Sequence, residues 1–138
     1  MKSPIALAIH GGAGVLKPGR LSEREENDIH AWLHRAITTG HRILEAGGNC
    51  LDAVEACVVE LELCPWFNAG LGAVFTQAGE HELDAAIMRG SDRNAGAIAG
   101  ARHVRHPICG ARQVMEHSDH VMLGGRGADD FLESRGKI

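Results

Sequence analysis

The apolar positions fall into blocks whose spacing changes along the chain. Residues 5–9 form a short continuous apolar run, with Pro4 before it and a glycine-rich stretch, residues 10–14, behind it; this predicts a buried strand entering a tight turn. After a polar loop from Lys17 to Arg20, Ser22 and Glu25 stand in the S-x-x-E order of a capping box and predict a helix start. Ile29, Trp32, Leu33, Ala36, Ile37, Ile43 and Leu44 then keep the three-and-four spacing of one buried helical stripe, ending at Gly47-Gly48. Asn49 is placed to cap a second helix, with Leu51, Val54, Cys57, Val58 and Leu61 on one apolar face and Pro65 as its stop.

Beyond Gly72 the period shortens. Residues 73–75, 82–88 and 95–101 read as antiparallel strands of small residues separated by Gly, Asn and Asp. Pro107 suits a first helical turn, Ile108, Ala111, Val114 and Met115 give the next apolar face, residues 120–123 read as another strand, and Gly124-Gly125 opens a last polar helix. This order fits a layered α+β or α/β arrangement with helices covering a sheet. No internal repeat is visible, and the end at Gly136-Lys137-Ile138, without a closing strand, reads as a truncation.

At 138 residues the chain is one domain or part of one, long enough to bury a modest core. Eighteen glycines, no tyrosine and three phenylalanines favour close backbone approaches and small core side chains. Fourteen basic against eighteen acidic residues give a formal charge of -4, which leaves no broad basic face for nucleic acid. The nine histidines are scattered and imply no single pH switch. Cys50, Cys57, Cys64 and Cys109 contain no C-x-x-C pair, the first three recur every seven residues along a helical stretch, and buried free thiols are expected. The apolar run after Met1-Lys2-Ser3-Pro4 is too short for a signal core, and no stretch approaches the roughly 20 residues of a membrane span, so a cytoplasmic protein is expected.

Several stretches could carry chemistry. The turn at His10 to Gly14 could line a site with its backbone groups or be purely structural; it lacks the Lys-Ser or Lys-Thr of a phosphate loop. Residues 61–72 leave a helix through Pro65 into glycine-rich backbone, with Asn68 as the one neutral polar side chain. An uncharged amide there could hold a developing anion or orient a nucleophile, the loop carbonyls could ligate a hard cation, or Asn68 could merely close an Asx turn. Strand alternation puts Asp84 and Glu82 on one face, opposite Leu83 and Ala85, where a solvated role outweighs acid/base work. His30 and His34 lie one helical turn apart, and His41 follows, but no H-E-x-x-H pattern or third ligand joins them and a surface role is expected. Cys64 sits at a helix end, where the dipole should raise its thiol pKa and argue against a nucleophile.

Three stretches resemble the plant-type asparaginases and isoaspartyl aminopeptidases of the Ntn-hydrolase class: Ile9-His10-Gly11-Gly12-Ala13-Gly14, residues 47–54, and above all residues 64–76, Cys-Pro-Trp-Phe-Asn-Ala-Gly-Leu-Gly-Ala-Val-Phe-Thr. Further similarity at 81–85, 95–100 and 120–122 extends the resemblance over nearly the whole chain in the family's order. The resemblance implies a four-layer αββα sandwich, of which residues 1–138 form the N-terminal, α-subunit part, from a precursor that cleaves itself. The new N-terminal Thr of the β-subunit is then the nucleophile and uses its own α-amino group as base. That Thr follows a glycine and opens a strand in the family, whereas the only threonines here are Thr38, Thr39 and Thr76, and none fits.

By resemblance, Gly11 and Gly12 lie beside the nucleophile and Asn68 supports the same site. The carbonyls of Leu61, Glu62, Cys64, Phe67, Ala69 and Leu71 match a loop that binds a structural sodium ion, with no cofactor needed for catalysis. The implied partners are a β-subunit in an (αβ)2 assembly and a small amide or dipeptide substrate, with no nucleic acid and no membrane. The implied activity is hydrolysis of L-asparagine and β-aspartyl dipeptides by the αβ complex, this chain alone being inactive. The alternative is a catalytically inactive truncated paralogue serving as a binding or assembly module.

Overall fold

A computed structural model describes residues 4–12, 14 and 19–137; Ala13 of the glycine turn, Lys17 of the following loop and Ile138 lie outside the described residues. Helix α1, Glu23–Glu45, starts where the sequence places it: the Ser22 side chain accepts from Glu25 N, and the Glu25 carboxylate accepts from Ser22 N at 2.7 Å. Helix α2, Cys50–Glu62, begins at Asn49, whose Oδ1 accepts from Asp52 N at 2.9 Å, and it ends before Pro65. The remaining elements are a short 3₁₀ turn Gly70–Gly72, strands β1 Leu83–Met88 and β2 Ala95–Ala101, helix α3 Pro107–His117, strand β3 Met122–Gly124 and helix α4 Gly125–Ser134.

The three strands form one sheet in the order β1-β2-β3, with β1 antiparallel to β2 and β2 parallel to β3. The parallel pair requires a crossover, and α3 makes it. Rows across the sheet follow from the register: Ala85 with Ile98 and Leu123 on one face, Ala86 with Ala97 and Met122 on the other. The first face is covered. Ile98, Ala101, Val104, Val114, Ala128 and Leu132 pack into one core cluster, and Leu51, Ile87, Ile108, Ala111 and Met115 into a second. Full burial of a side chain such as Ile98 or Leu132 contributes roughly 1.5–3 kcal/mol, so these clusters tie α3, α4 and α2 to the sheet. The opposite face has no covering layer among the described residues, and Met88 and Met122 on it are each 57% exposed. The chain is thus α+β, with helices on one side of a small sheet.

Several expectations need correction. Residues 5–9 show the alternation of a strand, Leu7 and Ile9 half-buried between exposed Ala6, Ala8 and His10, yet they pair with no strand among the described residues; Leu7 instead lies against Gly40 of α1. Residues 73–75 likewise join no sheet; they follow the 3₁₀ turn, and Val74 and Phe75 are 65% and 69% exposed. The apolar face of α2 is in fact two. Ala53 and Cys57 abut α1 at Gly40, where a Cβ would strike the Cys57 sulfur, while Leu51 and Val58 face α3, and Val54 is exposed. Cys50 is exposed rather than buried, as befits a first helical residue, and Cys109 is half-buried. Helix α4 is not polar throughout: Ala128 and Leu132 form an apolar stripe that fills the core.

Candidate functional site

The glycine turn and the 61–72 loop, far apart in sequence, meet at one side chain. The Phe67 ring lies so close to Gly11 that a Cβ there would sit 2.8 Å from Phe67 Cε1 and 3.3 Å from Leu33 Cδ2. Glycine at 11 is therefore a packing requirement. Gly12 has φ +116°, a conformation that L side chains rarely adopt, and its N–H donates to His10 Nδ1 at 3.1 Å. Together with Ile9, Leu33, His34 and Phe67 these residues line an open cavity of about 500 Å³.

The loop itself is held by its own backbone. Leu61 O accepts from Cys64 N at 3.2 Å, Phe67 O from Ala69 N at 2.8 Å and Ala69 O from Gly72 N at 3.0 Å. Trp66 Nε1 donates to Asp28 Oδ2 at 2.6 Å and ties the loop to α1. Asn68 Oδ1 accepts from Val74 N at 3.0 Å, a bond across six residues rather than an Asx turn, so the amide clasps the segment that leaves the loop.

The six carbonyls assigned to a cation do not all behave alike. Gly72 is overhung by the carbonyl of Phe67 and by those of Cys64 and Pro65, each of which would lie 2.9 Å or less from a Cβ at that position. Gly70, at φ +50°, is likewise pressed against the carbonyl and Cβ of Glu62. Oxygens of Glu62, Cys64 and Phe67 thus crowd the inside of the loop, joined by Pro65, which sequence reasoning left out. A carbonyl carries two lone pairs, so those already accepting one N–H can still face a cation. Elsewhere, no group of three or more His, Cys, Asp or Glu among the described residues could hold a metal ion, and His30 and His34 are exposed on α1.

The acid/base candidates separate by environment. Asp84 is exposed, but its Oδ1 accepts from Gly100 N at 2.7 Å across the irregular start of the β1–β2 pairing. Cys64 is fully buried, and burial first of all pushes its thiol pKa up. Burial followed by the Glu55 carboxylate pushes Cys109 up to about 12. None of these thiols is an activated nucleophile.

The side chain of Glu62, named from the sequence only for its carbonyl, escaped the sequence reading. Glu62, only 3% exposed, accepts from Ile108 N at 2.9 Å and pairs with His106 Nδ1 at 3.1 Å; burial pushes its carboxyl pKa up against the opposing pull of these two partners. The available signal was its place on the stripe Leu51, Val58, Glu62, where a charge interrupts an apolar helix face.

A protein-family model described as asparaginase matches residues 3–137. This chain belongs to the asparaginase family. An isoaspartyl peptidase from Salmonella typhimurium is 48% identical over 130 residues, which cover 94% of this asparaginase-family chain and 42% of that protein. A plant-type L-asparaginase from Pyrococcus furiosus is 48% identical over 132 residues, 96% of the chain and 42% of that protein. An isoaspartyl peptidase/L-asparaginase from Homo sapiens is 42% identical over 134 residues, 97% of the chain and 42% of that protein. The family member described here therefore spans about two-fifths of the length of these relatives. No helix among its described residues is long and apolar enough to cross a membrane.

Proposed function

We propose that this chain is the α-subunit part of an Ntn-type amidohydrolase which, completed by a β-subunit, hydrolyses L-asparagine and β-aspartyl dipeptides. The observation that carries the reading is the junction of Gly11 with Phe67, which puts the glycine turn and the Asn68 loop side by side in a chain of the asparaginase family. In this reading a Thr at the start of the β-subunit attacks the substrate amide carbonyl, its own α-amino group taking the hydroxyl proton. Ammonia or an amine departs, and water then hydrolyses the threonyl ester. The Gly11–Gly12 backbone walls the nucleophile, and no step needs a cofactor. Asn68 spends its carbonyl oxygen on Val74 N, so its Nδ2 amide remains a neutral donor that no titration can switch off.

The uncovered sheet face supports the four-layer sandwich. Its rows Ala86–Ala97–Met122 and Met88–Ala95 are apolar and mostly small, the surface that a second sheet about 10 Å away would bury. The oxygens crowding Gly70 and Gly72 fit a hard, oxygen-seeking cation, and Glu62, Cys64, Phe67 and Pro65 would hold sodium there. Such an ion would brace the loop and take no part in bond making. A cytoplasmic (αβ)2 assembly accords with this reading.

Intact-mass analysis of the native protein, paired with an assay on a β-aspartyl dipeptide and on L-asparagine, tests the proposal. A second polypeptide beginning with Thr and turnover by the complex are expected, with Asn68→Ala lowering kcat by roughly 100- to 1000-fold while the complex still assembles. Native material containing only this polypeptide, with no turnover, would instead favour an inactive assembly module.

A further inference from the structure

The buried carboxylate of Glu62 has no role in the proposed chemistry, yet it stands where two layers of the molecule are joined. Its side chain reaches the first turn of α3, taking the Ile108 N–H on one oxygen and facing His106 on the other. Helix α3 is itself fixed against β1 and β2 through Ile108, Ala111 and Met115. The backbone of the same residue abuts Gly70, where both its carbonyl and its Cβ would clash with any side chain. From Gly70 the path is short: Ala73 N donates to Gly70 O at 3.2 Å, and the next amide, Val74 N, is the one that Asn68 Oδ1 receives at 3.0 Å.

A carboxylate in such a place costs free energy unless its oxygens are paired, and a hydrophobic residue at 62 would fill the same space without that cost. What an apolar side chain cannot do is fix direction. Two hydrogen bonds to a helix end restrict where the Glu62 side chain, and with it the end of α2, can sit, and Gly70 is packed directly on the Glu62 backbone. The last turn of α2 has no basic residue and a cap made by backbone alone, so the Glu62 side chain adds the one polar side-chain tie from that turn to α3 among the described residues.

We infer that Glu62 is a positioning residue: through its paired contacts with Ile108 N and His106 it registers the 61–74 loop, and with it the Asn68 amide, against the α3–sheet layer. The inference rests on the functional reading above only for its catalytic consequence. Loop registration stands on geometry alone.

Amide hydrogen exchange on the complete protein tests it, comparing Glu62→Ala, the isosteric Glu62→Gln and His106→Ala with the parent. In Glu62→Ala the amides of Gly72, Ala73 and Val74 should exchange roughly tenfold faster or more, the size expected for losing hydrogen bonds to a charged group, while Ala97 in β2 changes far less. Glu62→Gln, which keeps an acceptor for Ile108 N, should recover most of the protection. His106→Ala, which leaves the Ile108 bond intact and stands in if Glu62→Ala does not fold, should show a smaller change at the same three amides. Equal acceleration at Val74 and Ala97 in any of these variants, or no change at Val74, overturns the inference. If the parent turns over substrate, Glu62→Ala should lower kcat more than it raises KM, with Glu62→Gln restoring it; a parent without turnover sinks the functional reading and leaves the exchange data to decide this one.

Discussion

Arg89 and Asp92 close the turn that joins β1 to β2. The guanidinium meets the carboxylate at 2.6 Å, Asn94 N donates to the same carboxylate at 3.0 Å, and Arg93 sits between them with φ 61°. The hydrogen bonds from Arg89 first, then that from Asn94, hold the Asp92 pKa at about 2, below its ordinary 3.8. Because the folded-state value is depressed, the turn's contribution is present above about pH 3.8 and is lost as pH falls toward about 2. Carboxyl carbon NMR should place the Asp92 midpoint near 2, and Arg89→Ala should move it up toward 3.8. A midpoint unmoved by that substitution would show that the pair does not form in solution. At this scale the sequence was readable where a residue acts on near neighbours. Ser22 with Glu25, and Asn49 with Asp52, lie three positions apart, so their caps could be read directly. The pairing of Trp66 with Asp28, 38 positions apart, and of Glu62 with Ile108, 46 apart, could not be read, since local order does not say which distant group a side chain meets; the charge on an apolar helix face marks Glu62 but not its partner.

Among the elements, α3 approaches β2 closely at Gly96. A Cβ on Gly96 would collide with the Ala111 carbonyl oxygen and the Met115 N–H, and would lie 2.7 Å from Met115 Cβ. These are backbone atoms of a helix and cannot step aside singly. Gly96→Ala should therefore lift α3 off the sheet and destabilise the fold by about 3 kcal/mol, at the upper end for an overpacked core. Urea denaturation of the complete protein measures it, and a loss below about 0.5 kcal/mol, the range of neutral surface changes, would show that the helix sits farther out. The helices and strands β1 and β2 were legible because their apolar spacing is a property of each segment alone. A strand is a relation between two segments. Residues 5–9 and 73–75 have suitable composition, but the pairing that would make them strands is absent among the described residues.

For the molecule as a whole, the decisive feature is its one-sided sheet. Met88 and Met122 are exposed beside Ala86, Ala95 and Ala97, with the core entirely on the other face. Surface of that kind is a partner interface or an aggregation hazard. Met122→Lys should leave the fold of this half unchanged by circular dichroism, because the side chain points away from both core clusters, and should abolish assembly with the proposed β-subunit in size-exclusion chromatography. Assembly at parental strength would mean that the second sheet does not cover this face. The sequence by itself determined the caps, the stripes of α1 and α3, the β1–β2 pair and the family resemblance, all of which depend on residue type and short-range order. Only the tertiary structure decided that Phe67 seats against Gly11, that Glu62 is buried and paired, and that one sheet face stays open. Each of these depends on which distant backbones come within a few ångströms of one another, and that distance is set by the packing of the whole chain.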